Sequence, residues 1–250
     1  FGGPLPEGFI PLDELFDDAL SGADIAFEPD RRDHPTLHIA AVTFDLTSEG
    51  IVPVARNHAE LLAGGLSMLA ESRLAPDSIL LSSLPAASFA GIALTLVPWL
   101  LCGGTLRLHQ PFDAETLSAQ LQEQDCDLAV LPGSLVARLS EAGIVSQQHG
   151  PKSILAFWRA PERLAANAPW RVPNVKLIDV AIFGEIGLCP ARRTEGRSVT
   201  VPAGKIRAPQ GVPGAVIVAD IGRTSAGTIG FGGPMSSRHA LTPHAAKMAG

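Results

Sequence analysis

From residue 38 onward, short apolar runs alternate with longer amphipathic ones, and this alternation constrains the fold more than any other feature of the chain. The runs 38–44, 78–82, 105–109, 127–131, 153–157 and 175–180 have strand length and strand composition. Helical patterning occupies 57–72, 88–101, 113–124, 134–142 and 161–167 between them. Short apolar strands separated by helices predict a parallel sheet with both faces covered, hence an α/β fold of sheet layers flanked by helices. Ligands in such sheets bind beyond the carboxyl ends of the strands, which directs attention to the loops after Phe44, Phe157 and Val180. Two element boundaries carry their own chemistry. Asp113 is placed to cap a helix with Glu115 in its first turn, and Gly103-Gly104 falls where a helix should stop.

The pattern changes at both ends. Residues 1–37 are rich in Pro, Gly and acids, with one short amphipathic stretch at 12–20, and are expected to be a connector. Residues 38–190 form the expected α/β core. Beyond Pro190 the runs 198–201, 215–219 and 228–231 are separated by Gly and Pro without a good helix, so 191–250 is expected to be a small β-rich part and tail.

Composition narrows the function classes. The 250 residues are 46% apolar and only 18% charged, enough to bury a core and unlike a disordered chain. A net charge of -6 without any Lys/Arg block argues against a nucleic-acid surface. Only four residues are lysine, namely Lys152, Lys176, Lys205 and Lys247. Cys102, Cys126 and Cys189 lie far apart, an odd count that suggests reduced thiols and a cytoplasmic protein instead of a disulfide framework. The longest apolar run, 89–102, is broken by Pro98 and too short to cross a bilayer. No secretory signal is visible, and because the chain begins with Phe1 it is expected to be incomplete.

The chemistry concentrates after the first strand. There a loop containing Thr47, Ser48, Glu49 and Gly50 precedes a helical run opened by Asn57. A strand, a tight polar loop and a helix in that order suit a phosphate, since loop N–H groups and a helix N-terminus both present positive partial charge. Thr47, Ser48 and Gly50 match a Ser/Thr/Gly phosphate loop ending in Gly-x-Pro-Lys, with Pro53 following and His58 at the helix start, but the lysine is absent. Leu84-Pro85-Ala86-Ala87-Ser88-Phe89-Ala90-Gly91 comes next, then Gly103-Gly104-Thr105 and Pro111-Phe112-Asp113. Farther on stand Phe157-Trp158-Arg159-Ala160-Pro161, Glu185-Ile186-Gly187 and the Gly-rich segment 225–235.

In this order and spacing, these segments resemble the central part of the adenylate-forming superfamily, which includes acyl-CoA synthetases, non-ribosomal peptide adenylation domains and luciferases. A fatty acyl-CoA ligase is closest in overall character, which implies a place in fatty acid metabolism, and the resemblance spans about residues 35–235. It implies an ATP-dependent activation of a small carboxylic acid to an acyl-adenylate, followed by transfer to coenzyme A or a related thiol. It also implies that Thr47, Ser48 and Gly50 hold phosphate and that Trp158, Arg159, Ala160, Pro161, Phe183 and Gly184 border adenine. Ala87, Ser88 and Phe89 would line the acyl side, and Glu185 would be the catalytic carboxylate that holds Mg2+. Ala181, Ile182 and Gly184 replace the Tyr, Gly and Thr of the motif that ends in Glu185.

Plainer readings stand beside these. The 47–50 loop is also readable as an ordinary turn, and Asp45 and Glu49 put negative charge near any polyphosphate. At ~4 Å and a surface-like dielectric, each like-charge pair costs on the order of 4 kcal/mol. Glu185 is also readable as a solvated loop acid, Phe183 as core and His58 as a locally packed helix-start residue. A catalytically silent homologue that binds an acyl group, a nucleotide or a protein partner is the alternative function. Two motif-like stretches fail on context. Gly150-Pro151-Lys152-Ser153 precedes a strand, and the glycines of 227–233 precede no helix. His239 and His244 make a poor metal pair.

Overall fold

The structure is a computed structural model. It describes residues 36, 38–47, 50–122, 126–146, 150–159, 170–191, 203–223, 225, 229–237 and 239–240. The chain divides into two compact units, 1–35 and 36–250, and every described residue lies in the second.

The first strands are β1 (Ile39–Thr47) and β2 (Gly50–Asn57), an antiparallel hairpin in which Thr47 pairs with Gly50. The short strand β12 (His239–Ala240) adds to the other edge of β2. This overturns one expectation. The run at 38–44 does not enter the parallel sheet, and the phosphate-loop candidate is a strand–turn–strand unit, not a strand–loop–helix unit. Pairing explains the difference, because 50–57 is itself apolar enough at Ile51, Val52 and Val54 to serve as a strand.

Helix α1 (His58–Ser72) follows β2 directly. Asn57 accepts from the Glu60 N–H at 2.8 Å, and the Glu60 carboxylate accepts from the Asn57 N–H at 3.1 Å. This reciprocal capping box fixes the start of the helix. Arg73 ends it in a left-handed conformation.

The central sheet has the order β4-β3-β5-β6-β7-β8. Its strands are β3 (Ile79–Ser82), β4 (Thr105–Leu108), β5 (Leu128–Pro132), β6 (Ser153–Trp158), β7 (Lys176–Phe183) and β8 (Gly187–Ala191). The first five are parallel, as the alternation predicts, and β8 turns back antiparallel against β7. Helix α2 covers 89–102 and widens to π form over Ile92–Leu96, just before Pro98. Gly103 closes it with φ 73°, donating to the Trp99 carbonyl at 2.9 Å. Helices α3 (Ala114–Gln122) and α4 (Gly133–Glu141) match the expected positions, with Asp113 accepting from the Thr116 N–H at 2.7 Å. The expected helix at 161–167 and strand at 198–201 lie outside the described residues.

Alternate strand residues divide the core in two. Leu80, Leu128, Val130, Leu155, Ile178 and Val180 pack with Met68 of α1 and with Phe89, Ala93 and Leu94 of α2. Leu81, Ala129, Leu131, Ile154 and Ala156 pack with Leu117 and Leu121 of α3 and Val136 and Leu139 of α4. Both faces of the sheet are therefore covered. Where α1 crosses α2, a Cβ on Gly65 would stand 2.1 Å from Val97 Cγ1, so glycine sets how close the helices come. A second antiparallel sheet, β11-β10-β9, is built from β9 (Gly204–Ala208), β10 (Val216–Arg223) and β11 (Ile229–Gly232). It accounts for the β-rich character of the last part of the sequence.

Candidate functional site at the carboxyl end of the central sheet

At the carboxyl end of β7, three segments meet. These are the stem of the β1–β2 hairpin, the β7–β8 turn and the start of α2. The hairpin approaches through Asp45. Gly184 has φ 53°, and a Cβ there would lie 2.5 Å from Asp45 Oδ2, so the carboxylate fills the space a side chain would need. The α2 start approaches through Glu185, whose Oε2 accepts the Phe89 N–H at 2.6 Å. Ser88 caps the same helix, accepting from the Gly91 N–H at 3.0 Å and donating to the Pro85 carbonyl at 3.1 Å.

Arg56 joins all of this, and sequence reasoning missed it. It is 1% exposed. Its Nη2 donates to the carbonyls of Glu185 and of Ile186, the latter at 2.8 Å, and its Nε donates to the Met235 carbonyl at 3.3 Å. The guanidinium carbon lies 3.7 Å from the centre of the buried Phe89 ring, a cation–π contact in a desolvated setting. Burial pulls the guanidinium down to about 10, against the opposing pull of Glu185, Glu60 and Asp45. It remains charged at neutral pH. The available signal was an arginine set into the inward end of a strand, directly before an N-cap.

The expected site residues separate into groups. Thr47 and Gly50 flank the hairpin tip, with Thr47 exposed and its Oγ1 donating to the Gly50 carbonyl at 3.0 Å. Ser48 lies outside the described residues, as do Ala160 and Pro161. The tip is separated from the α1 N-terminus by the length of β2, roughly 23 Å at strand rise, so the two do not form one anion cradle. Arg159 is exposed at the end of β6. Trp158 is a core residue, 6% exposed, that donates from Nε1 to Asp179 Oδ1 at 2.9 Å. Phe183 is half-buried and packs its ring 5.5 Å from that of Phe231. On the acyl side, Ala87 is exposed and Ser88 half-buried, whereas Phe89 is fully buried under Arg56. His58 is exposed in the first turn of α1.

A divalent cation does not fit Glu185 in this arrangement. One carboxylate oxygen is held by the Phe89 N–H, the side chain is 8% exposed, and a buried guanidinium stands beside it. Among the described residues no group of three or more His, Cys, Asp or Glu side chains is placed to hold a metal. None of the described helices is long and apolar enough to cross a membrane.

No protein-family model matches the chain, and no curated protein does. Solved structures do. ATP-bound MatB from Rhodopseudomonas palustris superposes with a TM-score of 0.64 at 16% identity, covering 93% of this chain and 46% of that one. A malonyl-CoA ligase complex with methylmalonyl-CoA and AMP gives 0.57 at 18% identity, covering 86% and 47%. A variant of E. coli MenE with bound OSB-AMS gives 0.56 at 15%, covering 82% and 41%. The chain spans less than half the length of each of these structures. Its fold is that of part of the adenylate-forming, acyl-CoA synthetase-like enzymes.

Proposed function

We propose that this chain is the nucleotide-facing portion of an ATP-dependent carboxylate-activating protein. The reaction forms an acyl-adenylate with release of pyrophosphate and then passes the acyl group to coenzyme A or a related thiol. One observation carries the reading, namely the contact of Asp45 with Gly184. It brings the hairpin that ends in Thr47 and Gly50 against the 183–185 turn, so the two segments assigned to phosphate and to adenine lie together. They do so beyond the carboxyl end of a parallel strand, where ligands of open α/β sheets bind. The general kind of reaction also agrees with the ATP-bound and CoA-ligase structures of the same fold.

Within this reading the chain's own residues act by position. Thr47 and Gly50 present the end of the hairpin to the phosphates, a role that Ser48 shares by its place in the sequence, and Arg159 supplies an exposed cation at the end of β6. Gly184 lets the Asp45 carboxylate come against the turn, and Phe183 packs beside it with Phe231. Ala87 and Ser88 face the acyl group, while buried Phe89 supports the helix start beneath them. Catalysis is then positioning of the carboxylate for in-line attack on phosphorus. No step is assigned to a metal at Glu185.

A second reading, a catalytically silent homologue, is favoured by a different observation. The Glu185 carboxylate is engaged by the Phe89 N–H, and the stretch 47–58 holds no lysine at the place where the phosphate-loop motif has one. Calorimetry with ATP and Mg2+ on the full-length protein separates the two. Heat of binding at millimolar nucleotide, together with carboxylate-dependent exchange of pyrophosphate into ATP, supports activation. Absence of both supports the silent homologue.

A further inference from the structure

We infer that Arg56 takes the place of a divalent cation at the β7–β8 turn, and that Glu185 is a clasp on the start of α2 instead of a metal ligand. This deepens the reading above by specifying how the same site is charged. The surroundings of the guanidinium are those a hard cation would select. Three backbone carbonyls converge on it, from Glu185, Ile186 and Met235, and carbonyl oxygens are ordinary ligands of such ions. Three carboxylates, Glu185, Glu60 and Asp45, lie near enough to act on it electrostatically. Phe89 presents its ring face from the remaining side.

Two of the carboxylates are also already engaged. Glu185 accepts from the Phe89 N–H and Glu60 from the Asn57 N–H, each through Oε2, and Asp45 lies against Gly184. A free ion entering here would meet a buried like charge and carbonyls that already accept from it. The planar fork of the guanidinium serves two neighbouring carbonyls from Nη2 and a third from Nε, while Nη1 has no hydrogen-bond partner among the described residues. Arg56 thereby ties the hairpin, the β7–β8 turn and the segment after β11 into one unit. Glu185 is thereby withdrawn as the ligand of any Mg2+ that would arrive with a nucleotide.

The test uses Mn2+ alone as a paramagnetic probe on the full-length protein and on Glu185→Gln. The expected result is that both titrate the free Mn2+ signal identically up to millimolar concentration. One bound Mn2+ per chain that disappears in Glu185→Gln would overturn the inference. A second arm follows thermal unfolding of Arg56→Met, Glu185→Gln and the double variant. Removing the carboxylate should lower the midpoint when Arg56 is present and raise it when Arg56 is absent, with Arg56→Lys falling between wild type and Arg56→Met. Strictly additive shifts would overturn the inference, as would a midpoint raised by Mg2+ in wild type but not in Glu185→Gln. Should Arg56→Met fail to fold, the Mn2+ comparison decides by itself. Failure of ATP binding with unchanged Mn2+ titrations would strike the activation reading and leave this one standing.

Discussion

Individual side chains at this site hold more polar chemistry than they satisfy. Thr43 is 4% exposed, and its hydroxyl has no hydrogen-bond partner among the described residues. A buried donor left unpaired costs about 1–3 kcal/mol, so Thr43→Val is expected to raise stability by roughly 1 kcal/mol, read from a denaturant midpoint at unchanged slope. Glu71 offers a pH-dependent counterpart on α1. Burial raises its carboxyl above the ordinary value, although the Gln210 N–H bond and the charges of Lys176 and Arg73 pull the other way. The folded state therefore holds this proton more tightly than the unfolded state does. Its stabilising effect is present below the ordinary glutamate value and is lost as pH rises through the elevated one. Glu71→Gln should flatten that decline and raise the neutral-pH midpoint, which thermal unfolding across acidic buffers will measure.

At the scale of elements, the contact between α1 and α2 makes the sharpest demand. Gly65→Ala gains helix propensity of roughly 1 kcal/mol, yet it drives a methyl into Val97. Overpacking of this kind costs about 1–3 kcal/mol, so a net loss is expected, partly recovered by pairing it with Val97→Ala in the same unfolding assay. The elements themselves were largely legible. β3 to β7 and helices α2, α3 and α4 follow from buried runs bounded by caps such as Asp113 and Gly103, because local patterning and tertiary burial agree there. The hairpin was not legible. The run 50–57 contains Pro53 and follows a polar loop, and only cross-strand pairing with 39–47 makes it a strand. β8 and β9 were missed for a related reason, since both are five-residue strands defined by their neighbours. The site was legible only in part. Glu185 and Gly184 were marked only by the resemblance of 181–187 to a family motif, while Arg56 and the contact of Asp45 acquire meaning only when distant segments fold together.

For the whole molecule, surface is as telling as core. On one face of the hairpin, Leu46 stands opposite Ile51 and Phe44 opposite Pro53, with Leu46 81%, Ile51 70% and Phe44 65% exposed. A contiguous apolar strand face in water promotes association. Leu46→Lys should therefore lower the apparent mass of the 250-residue chain in sedimentation without altering its far-ultraviolet circular dichroism. An unchanged mass would mean that this face does not drive association. The wedge of Asp45 against Gly184 has an evolutionary corollary. Any mutation that adds a side chain at 184 must displace a carboxylate, in a backbone of φ 53° that already favours glycine. The two codons are thus coupled, and a side chain at 184 is better tolerated once position 45 has become smaller.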